Sequence, residues 1–297
     1  MKALIFGISG QDGYYMHELC KTKGIQVVGV SRSKGEWIRG DISDYSFVSN
    51  LIETFKPEYI FDFAANSSTS HEVLFENHQS ISSGALNILE AVKLYNPAAK
   101  VFLSGSALQF ENMNTPIKET DPFTASSSYA VERIYTTYLA RYYRSLGLKV
   151  YIGYFFHHDS PMRPEKHLNM YVIKTALNIK KSGKGVLEIG NPDIVKEFNF
   201  AGDIVKAVWK LVNQDKIFEA VIGSGKGFSV REWVNICFDL IGLEINEHLE
   251  VTGNFKNEFK KLISDPSTIL SLGWEPEYDI YDLAKLMIDF EKKKIYA

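Results

Sequence analysis

Behind Lys2 the chain opens on an unbroken apolar run, Ala3-Leu4-Ile5-Phe6, and the segment Lys2 to Phe6 stops at a cluster of glycines. A short apolar run without polar alternation predicts a strand buried on both faces. Tyr14 to Lys23 then reads as a helix closed by Gly24. Ile25 to Ser31 predicts a second strand, Tyr45 to Phe55 an amphipathic helix ended by Lys56-Pro57, and Tyr59 to Ala64 another strand. Asn77 to Leu94 predicts one long helix with Ile88, Leu89, Ala91 and Val92 on its apolar face. Val101 to Ser104, Ala125 to Leu146 and Val150 to Phe156 continue as strand, helix and strand. Strands alternating with helices make a parallel sheet covered on both faces. The expected fold class is therefore α/β, a doubly wound parallel sheet.

The pattern becomes irregular after Phe156. His157 to Lys166 is rich in Pro, His and charge and reads as a loop; helices follow near 169–182, 202–214, 229–242 and 279–293. The expected division is a dinucleotide-binding domain over 1–155, with 196–220 returning to it, and a smaller substrate lobe over 156–297. That lobe is expected to lie over the carboxyl edge of the sheet, where ligands of doubly wound sheets bind, and to share one continuous core with it.

Composition narrows the classes. A chain of 297 residues with formal net charge −3 carries no basic footprint for nucleic acid. Its two cysteines, Cys20 and Cys237, suit a reducing, cytoplasmic setting. No apolar stretch reaches the length needed to span a bilayer, and no leader is read at the N-terminus.

The glycine cluster supplies the first chemistry. Gly7-Ile8-Ser9-Gly10-Gln11-Asp12-Gly13 joins the first strand to the first helix. Glycines there let the backbone approach a pyrophosphate, and the helix N-terminus offers free N–H groups and a positive dipole end. The alternative is an ordinary tight strand–helix turn. At the end of the second strand, Ser31-Arg32-Ser33-Lys34 holds no carboxylate for the ribose hydroxyls of NAD. Arg32 suits a 2′-phosphate instead, which favours NADP over NAD. Asp41-Ile42 are placed to cap an adenine, and Ala64-Ala65-Asn66-Ser67 are small where a cofactor needs close approach. Ser106 follows the fifth strand, and Tyr129 and Arg133 share one face of the next helix. A cation near a phenol favours its ionised form, and such a phenol passes protons to and from a sugar hydroxyl. Without the glycine turn, the same pair reads as an ordinary surface contact.

These segments resemble the extended short-chain dehydrogenases acting on nucleotide sugars, and most closely the GDP-mannose 4,6-dehydratases and related 4-keto-sugar reductases. The likeness runs nearly end to end: Gly7 to Gly13, Ala64 to Ser67, Asn87 to Ala91, Ser128 to Val131, Phe156 to Pro161, Gly190-Asn191, Ser229 to Glu232, Asp265 to Ser267 and Leu272 to Trp274. The resemblance implies a Rossmann fold with an NADP or NAD cofactor, and a role in making sugars for surface polysaccharides. It implies Gly7, Ser9, Gly10, Gln11, Asp12 and Gly13 at the pyrophosphate and Arg32 at the 2′-phosphate. His158 and Arg163 would contact the cofactor, Ser106 and Tyr129 would be catalytic, and Arg133 would poise them at the nicotinamide ribose. Ser67, Ser106, His157 and Lys196 would meet a substrate, with GDP as the favoured nucleotide. The helices near 77–94 and 125–146 would pair in a homodimer, or a tetramer. His157-His158-Asp159 is not read as a metal site, because adjacent residues point apart.

The departures matter too. Arg133 stands where the family has lysine, His157 where it has asparagine, and Lys196 where it has arginine. The acid two positions beyond the catalytic hydroxyl is Leu108, or Ala107 in a register that puts Gly105 at the hydroxyl position. Neither moves a proton. The expected function is thus oxidoreductase or epimerase chemistry at C4 of a nucleotide sugar. The alternatives are a 4,6-dehydratase whose acid is Glu111 or Glu132, and a cofactor-binding but catalytically silent subunit.

Overall fold

The computed structural model describes residues 1–253 and 259–296. The first half alternates as the apolar pattern predicts: β1 (Lys2–Phe6), α1 (Gln11–Thr22), β2 (Gln26–Ser31), β3 (Ile38–Arg39), α2 (Tyr45–Phe55) and β4 (Tyr59–Asp62). Then come α3 (Leu74–Asn77), α4 (Gly84–Tyr95), β5 (Lys100–Ser106), α5 (Ser128–Ser145) and β6 (Lys149–Phe155). The second half contains β7 (His158–Asp159), α6 (Leu168–Ser182), β8 (Leu187–Ile189), β9 (Val195–Glu197), β10 (Asn199–Phe200), α7 (Ala201–Val212) and β11 (Glu219–Ile222). It ends with β12 (Gly227–Ser229), α8 (Val230–Ile241), β13 (Leu249–Val251), β14 (Lys261–Leu262), α9 (Ser267–Ser271) and α10 (Ile280–Tyr296).

Seven strands form one parallel sheet in the order β11-β6-β5-β4-β1-β2-β3. Alternate residues of the central strands enter opposite cores, as a pleated strand requires. Leu4, Phe6, Ile60, Val101, Leu103, Val150 and Ile152 pack on the side of α2, α4 and α5. Ala3, Ile5, Phe61, Phe102 and Tyr151 pack on the side of α1 and α7. The chain runs outward from β1 to β3, then crosses back to β4, so the winding direction reverses between β1 and β4. That reversal opens a crevice at the carboxyl ends of both strands.

Two expectations are corrected. The core is not continuous: α6, α8, α10 and β8 enclose a separate cluster around Trp233, Phe238 and Met287. Tyr15 of α1 packs against this cluster and against the one on the α1–α7 face of the sheet. The helix expected over 77–94 is interrupted by a π-helical stretch, His78–Ser83. The Ser80 hydroxyl donates to the Glu76 carbonyl at 2.7 Å, a back-bond that competes with the regular helical ladder. Such bulges re-aim side chains. Here Ser80 faces the cleft, and Ser82 donates to the Glu132 carboxylate.

Candidate active site

The turn after β1 is forced to be glycine. Gly7 has φ +80°, and a Cβ there would lie 2.8 Å from the Ala64 nitrogen. A Cβ at Gly13 would lie 2.3 Å from the Gly7 carbonyl oxygen. Gly10 caps α1 without a side-chain hydrogen bond, which leaves the first amides of the helix for a ligand.

Two cavities meet across this turn and share Gly7, Gly10, Phe63 and Ala65 as walls. The smaller is closed by Ser9, Ser31, Arg32, Asp41, Ile42 and Ala64. The larger is closed by Gln11, Asp12, Gly13, Ser67, Ser106, Leu108, Tyr129, Arg133, His157, His158, Arg163 and Lys196, among others. One continuous cleft therefore crosses the glycine turn, which fits an extended dinucleotide. Of the sequence-predicted residues, Asn66 turns away: its amide donates to Glu76 Oε2 at 3.0 Å. Asp62, buried at the end of β4, accepts from the Ala64 amide at 3.0 Å. Burial pushes its carboxyl up to about 7.

Ser106 ends β5 and caps the short turn that follows. Its Oγ accepts from the Leu108 amide at 3.2 Å, while Gln109 Oε1 accepts from the Ser106 amide at 3.0 Å. The hydroxyl proton is thereby left to donate into the cleft. Tyr129 lies in the first turn of α5, which starts at the Ser127 cap. One turn on, the Arg133 guanidinium stacks over the Tyr129 ring at 5.2 Å. It donates to the Ser104 carbonyl and, at 2.9 Å, to the Ser104 hydroxyl. Both bonds come from Nη1, so the rest of the planar guanidinium can lie over the ring, a flat face that a lysine ammonium does not offer. Arg133 Nε is buried without a hydrogen-bond partner.

The loop after β6 is bolted to the glycine turn. Ser160 Oγ donates to Gln11 Oε1 at 3.0 Å, Gln11 Nε2 donates to the His158 carbonyl at 3.3 Å, and His158 Nε2 meets Asp12 Oδ1 at 2.9 Å. His158 Nδ1 lies 2.8 Å from the Phe156 carbonyl. A ring flanked by two acceptors is satisfied as the imidazolium. Burial opposes that charge, but Asp12 outweighs it and holds the His158 pKa above the ordinary range. Burial likewise opposes ionisation of Asp12, and His158 and Arg163 outweigh it, so Asp12 sits below the ordinary carboxyl range.

The pair makes a pH prediction. The Asp12 contribution is present above the unfolded carboxyl range and lost as pH falls through its depressed value. The His158 contribution is complete below the unfolded imidazole value and lost as pH rises through its raised value. Asp12→Asn should therefore cost about 2 kcal/mol near pH 5.5 and distinctly less at about pH 9. Urea denaturation at both pH values checks this; an equal cost at both would refute the charged pair.

Deeper in the larger cavity, His157 Nδ1 bonds the Glu197 carbonyl at 3.0 Å, so Nε2 accepts from Lys196 Nζ at 3.1 Å. Burial and the neighbouring cations Lys196 and Arg163 hold His157 well below its usual pKa. Burial brings Lys196 down to about 8, against the pull of Asp159. Arg163 Nε lies 2.8 Å from buried Asp159.

The acids offered for an elimination are elsewhere. Glu132 is engaged by Ser82 and by His78 at 3.1 Å, and exposed Glu111 is not on the cavity wall. Among the described residues, Asp12 is the one carboxylate lining the larger cavity. Sequence reasoning missed Glu76, Ser80 and Gln109. Their roles depend on partners in other elements, although the Ser106-to-Gln109 spacing is a readable capping box.

A family model described as GDP-mannose 4,6 dehydratase matches residues 4–287. GDP-mannose 4,6 dehydratase 1 of Arabidopsis thaliana is 29% identical over 319 residues, covering 97% of this chain and 88% of that protein. GDP-mannose 4,6-dehydratase of Yersinia enterocolitica is 27% identical over 357 residues, covering 100% and 95%. Among solved structures, UDP-glucose 4-epimerase of Thermus thermophilus, complexed with NAD, matches with TM-score 0.86 at 20% identity over 98% of this chain and 99% of that one. dTDP-glucose 4,6-dehydratase of Bacillus anthracis, also with NAD, matches with TM-score 0.87 at 16% identity over 99% and 97%. Both share the fold.

Proposed function

The chain belongs to the GDP-mannose 4,6-dehydratase family, and from that premise we propose that it carries out NAD(P)-dependent redox or epimerase chemistry at C4 of a nucleotide sugar, GDP-linked by preference. Membership makes it an enzyme of the nucleotide-sugar class. The observation that carries the finer reading is the larger cavity's wall. Ser106, Tyr129 and Arg133 line it together, while the position two beyond Ser106 is Leu108 and, among the described residues, the one carboxylate on that wall is Asp12, already paired with His158.

The cleft fits a nicotinamide dinucleotide, with Gly7 to Gly13 at the pyrophosphate, Asp41 and Ile42 at the adenine end, and Ala64 and Ala65 beneath. Arg32 favours the phosphorylated form. His158 acts here by fixing Asp12 and the turn, and Arg163 lends positive charge. When bound, the cofactor supplies the hydride carrier. Tyr129 Oη takes the proton from the C4 hydroxyl, or returns it, and the Ser106 hydroxyl donates to the same oxygen. Arg133, fixed on Ser104, keeps a positive charge beside that exchange. Lys196 and Arg163, with Ser67 and His157, favour a diphosphate. We assign the sugar nucleotide to the lobe over 156–297 and place the protein in the reducing cytosol, where buried free thiols such as Cys20 and Cys237 persist.

A product assay tests the reading. Purified protein is given GDP-mannose and other GDP-hexoses with each nicotinamide cofactor. The expected products are a 4-keto sugar with stoichiometric reduced cofactor, or a C4 epimer of unchanged mass. A 6-deoxy-4-keto product one water lighter, with no net cofactor change, would overturn it. Family membership favours this second, dehydratase reading.

We also propose a homodimer through α5. Val131, Tyr135, Tyr138, Tyr142 and Leu146 recur along one helical face, each at least 43% exposed. So continuous an apolar stripe calls for a partner. A single-protomer mass by light scattering would refute it.

A further inference from the structure

Arg32 walls the smaller cavity at the carboxyl end of β2, yet its guanidinium is already engaged. Arg32 Nη2 donates to Glu76 Oε1 at 2.9 Å, across 44 residues of sequence. The other oxygen of the same carboxylate accepts from Asn66 Nδ2 at 3.0 Å. Glu76 sits on α3, and its own carbonyl accepts from Ser80, a second wall residue of that cavity. The carboxylate thus joins the end of β2 to the segment after β4, beside the cavity that Arg32 and Ser80 line. The bond from Arg32 comes first among the causes holding Glu76 below the usual carboxyl range, followed by those from Asn66 and the charge of Lys166. Arg39 faces the same corner, its Nε donating to the Arg32 carbonyl at 3.1 Å.

We infer that Glu76 is a specificity-determining residue for the cofactor: by occupying Arg32, it sets how far this site discriminates a phosphorylated from an unphosphorylated adenosine ribose. The inference rests on the dinucleotide reading above. A 2′-phosphate on Arg32, whether it displaces Glu76 or uses the remaining N–H groups of the guanidinium, lies beside a carboxylate, so like charge opposes it. A free 2′-hydroxyl adds no charge, leaves the pair intact and can donate to the carboxylate. Arg32 alone speaks for NADP; Glu76 moves the balance toward NAD.

NADH and NADPH are titrated by nicotinamide fluorescence into wild type, Glu76→Gln, and Glu76→Gln with Arg32→Ala. The glutamine keeps the size and drops the charge of a side chain that is 40% exposed. The ratio of NADPH to NADH affinity should rise about fivefold in Glu76→Gln and fall back to or below the wild-type ratio in the double variant. Binding of both nucleotides with an unchanged ratio in Glu76→Gln would overturn the inference and leave the cofactor reading standing. A rise that survives loss of Arg32 would also overturn it, since the carboxylate would then not act through Arg32. Failure of wild type to bind either nucleotide would overturn the cofactor reading, and the inference with it.

Discussion

Tyr129→Phe should lower kcat about a thousandfold and leave dinucleotide binding and folding nearly unchanged. The ring is buried at the start of α5, 7% exposed, and its face carries the Arg133 guanidinium at 5.2 Å. Phenylalanine keeps the ring, the stacking and the packing. It removes the hydroxyl, the group assigned to move the C4 proton. The Ser106 hydroxyl remains, but its oxygen is committed to the Leu108 amide, and a serine hydroxyl is a poor acceptor for that proton at neutral pH. Steady-state kinetics with parallel NAD(P)H titration checks the result. A loss below tenfold with intact cofactor binding would take Tyr129 out of the chemistry.

Gly13→Ala should destabilise the protein by about 3 kcal/mol and abolish dinucleotide binding. Its added Cβ would meet the Gly7 oxygen at 2.3 Å, Ile8 Cα at 2.7 Å and the Gly7 carbonyl carbon at 2.8 Å. All three are backbone atoms, so no rotamer change relieves the clash. The start of α1 must move away from the turn, and the amides that face the cleft move with it. Gly24→Ala is the matched control. That glycine has φ +66° but nothing within 4 Å of the new Cβ, so it should cost about 1 kcal/mol and leave binding intact. Urea denaturation and nucleotide titration of both variants separate packing from backbone strain. Equal costs would show that the close approach at Gly13 is tolerated.

Much of the sheet was legible because local physics writes it into short windows. A two-sided apolar run such as Lys2 to Phe6 has few ways to bury itself other than as a central strand. Asp44 and Ser229, each followed three residues later by an amide it caps, mark helix starts at the right places. The interruption at His78–Ser83 was not legible. Its apolar spacing still reads as one helix, and the deviation comes from hydroxyls whose partners include Glu132 in another element. The site divides the same way. Ser106, Tyr129 and Arg133, which share one cavity wall, could be singled out because they follow strand and helix ends that the pattern locates. That Arg133 would fork onto Ser104, or that His157 would accept from Lys196, depends on which loops the fold brings together.

Arg32 shows the boundary most clearly. Its place at the end of β2 follows from the sequence, and so does its positive charge. Its partner does not, because Glu76 reaches it only after the chain has crossed from β3 back past β1 to β4. The sequence alone determined the strand–turn–helix units, the glycine turn and the absence of an acid beside Ser106. These depend on residues within a few positions of one another. Tertiary structure alone decided the joining of two cavities into one cleft, the His158–Asp12 bolt and the Arg32–Glu76 pairing. Each brings together groups tens to more than a hundred residues apart. Their meeting is fixed by strand order and packing, and their energies depend on burial that no local window contains.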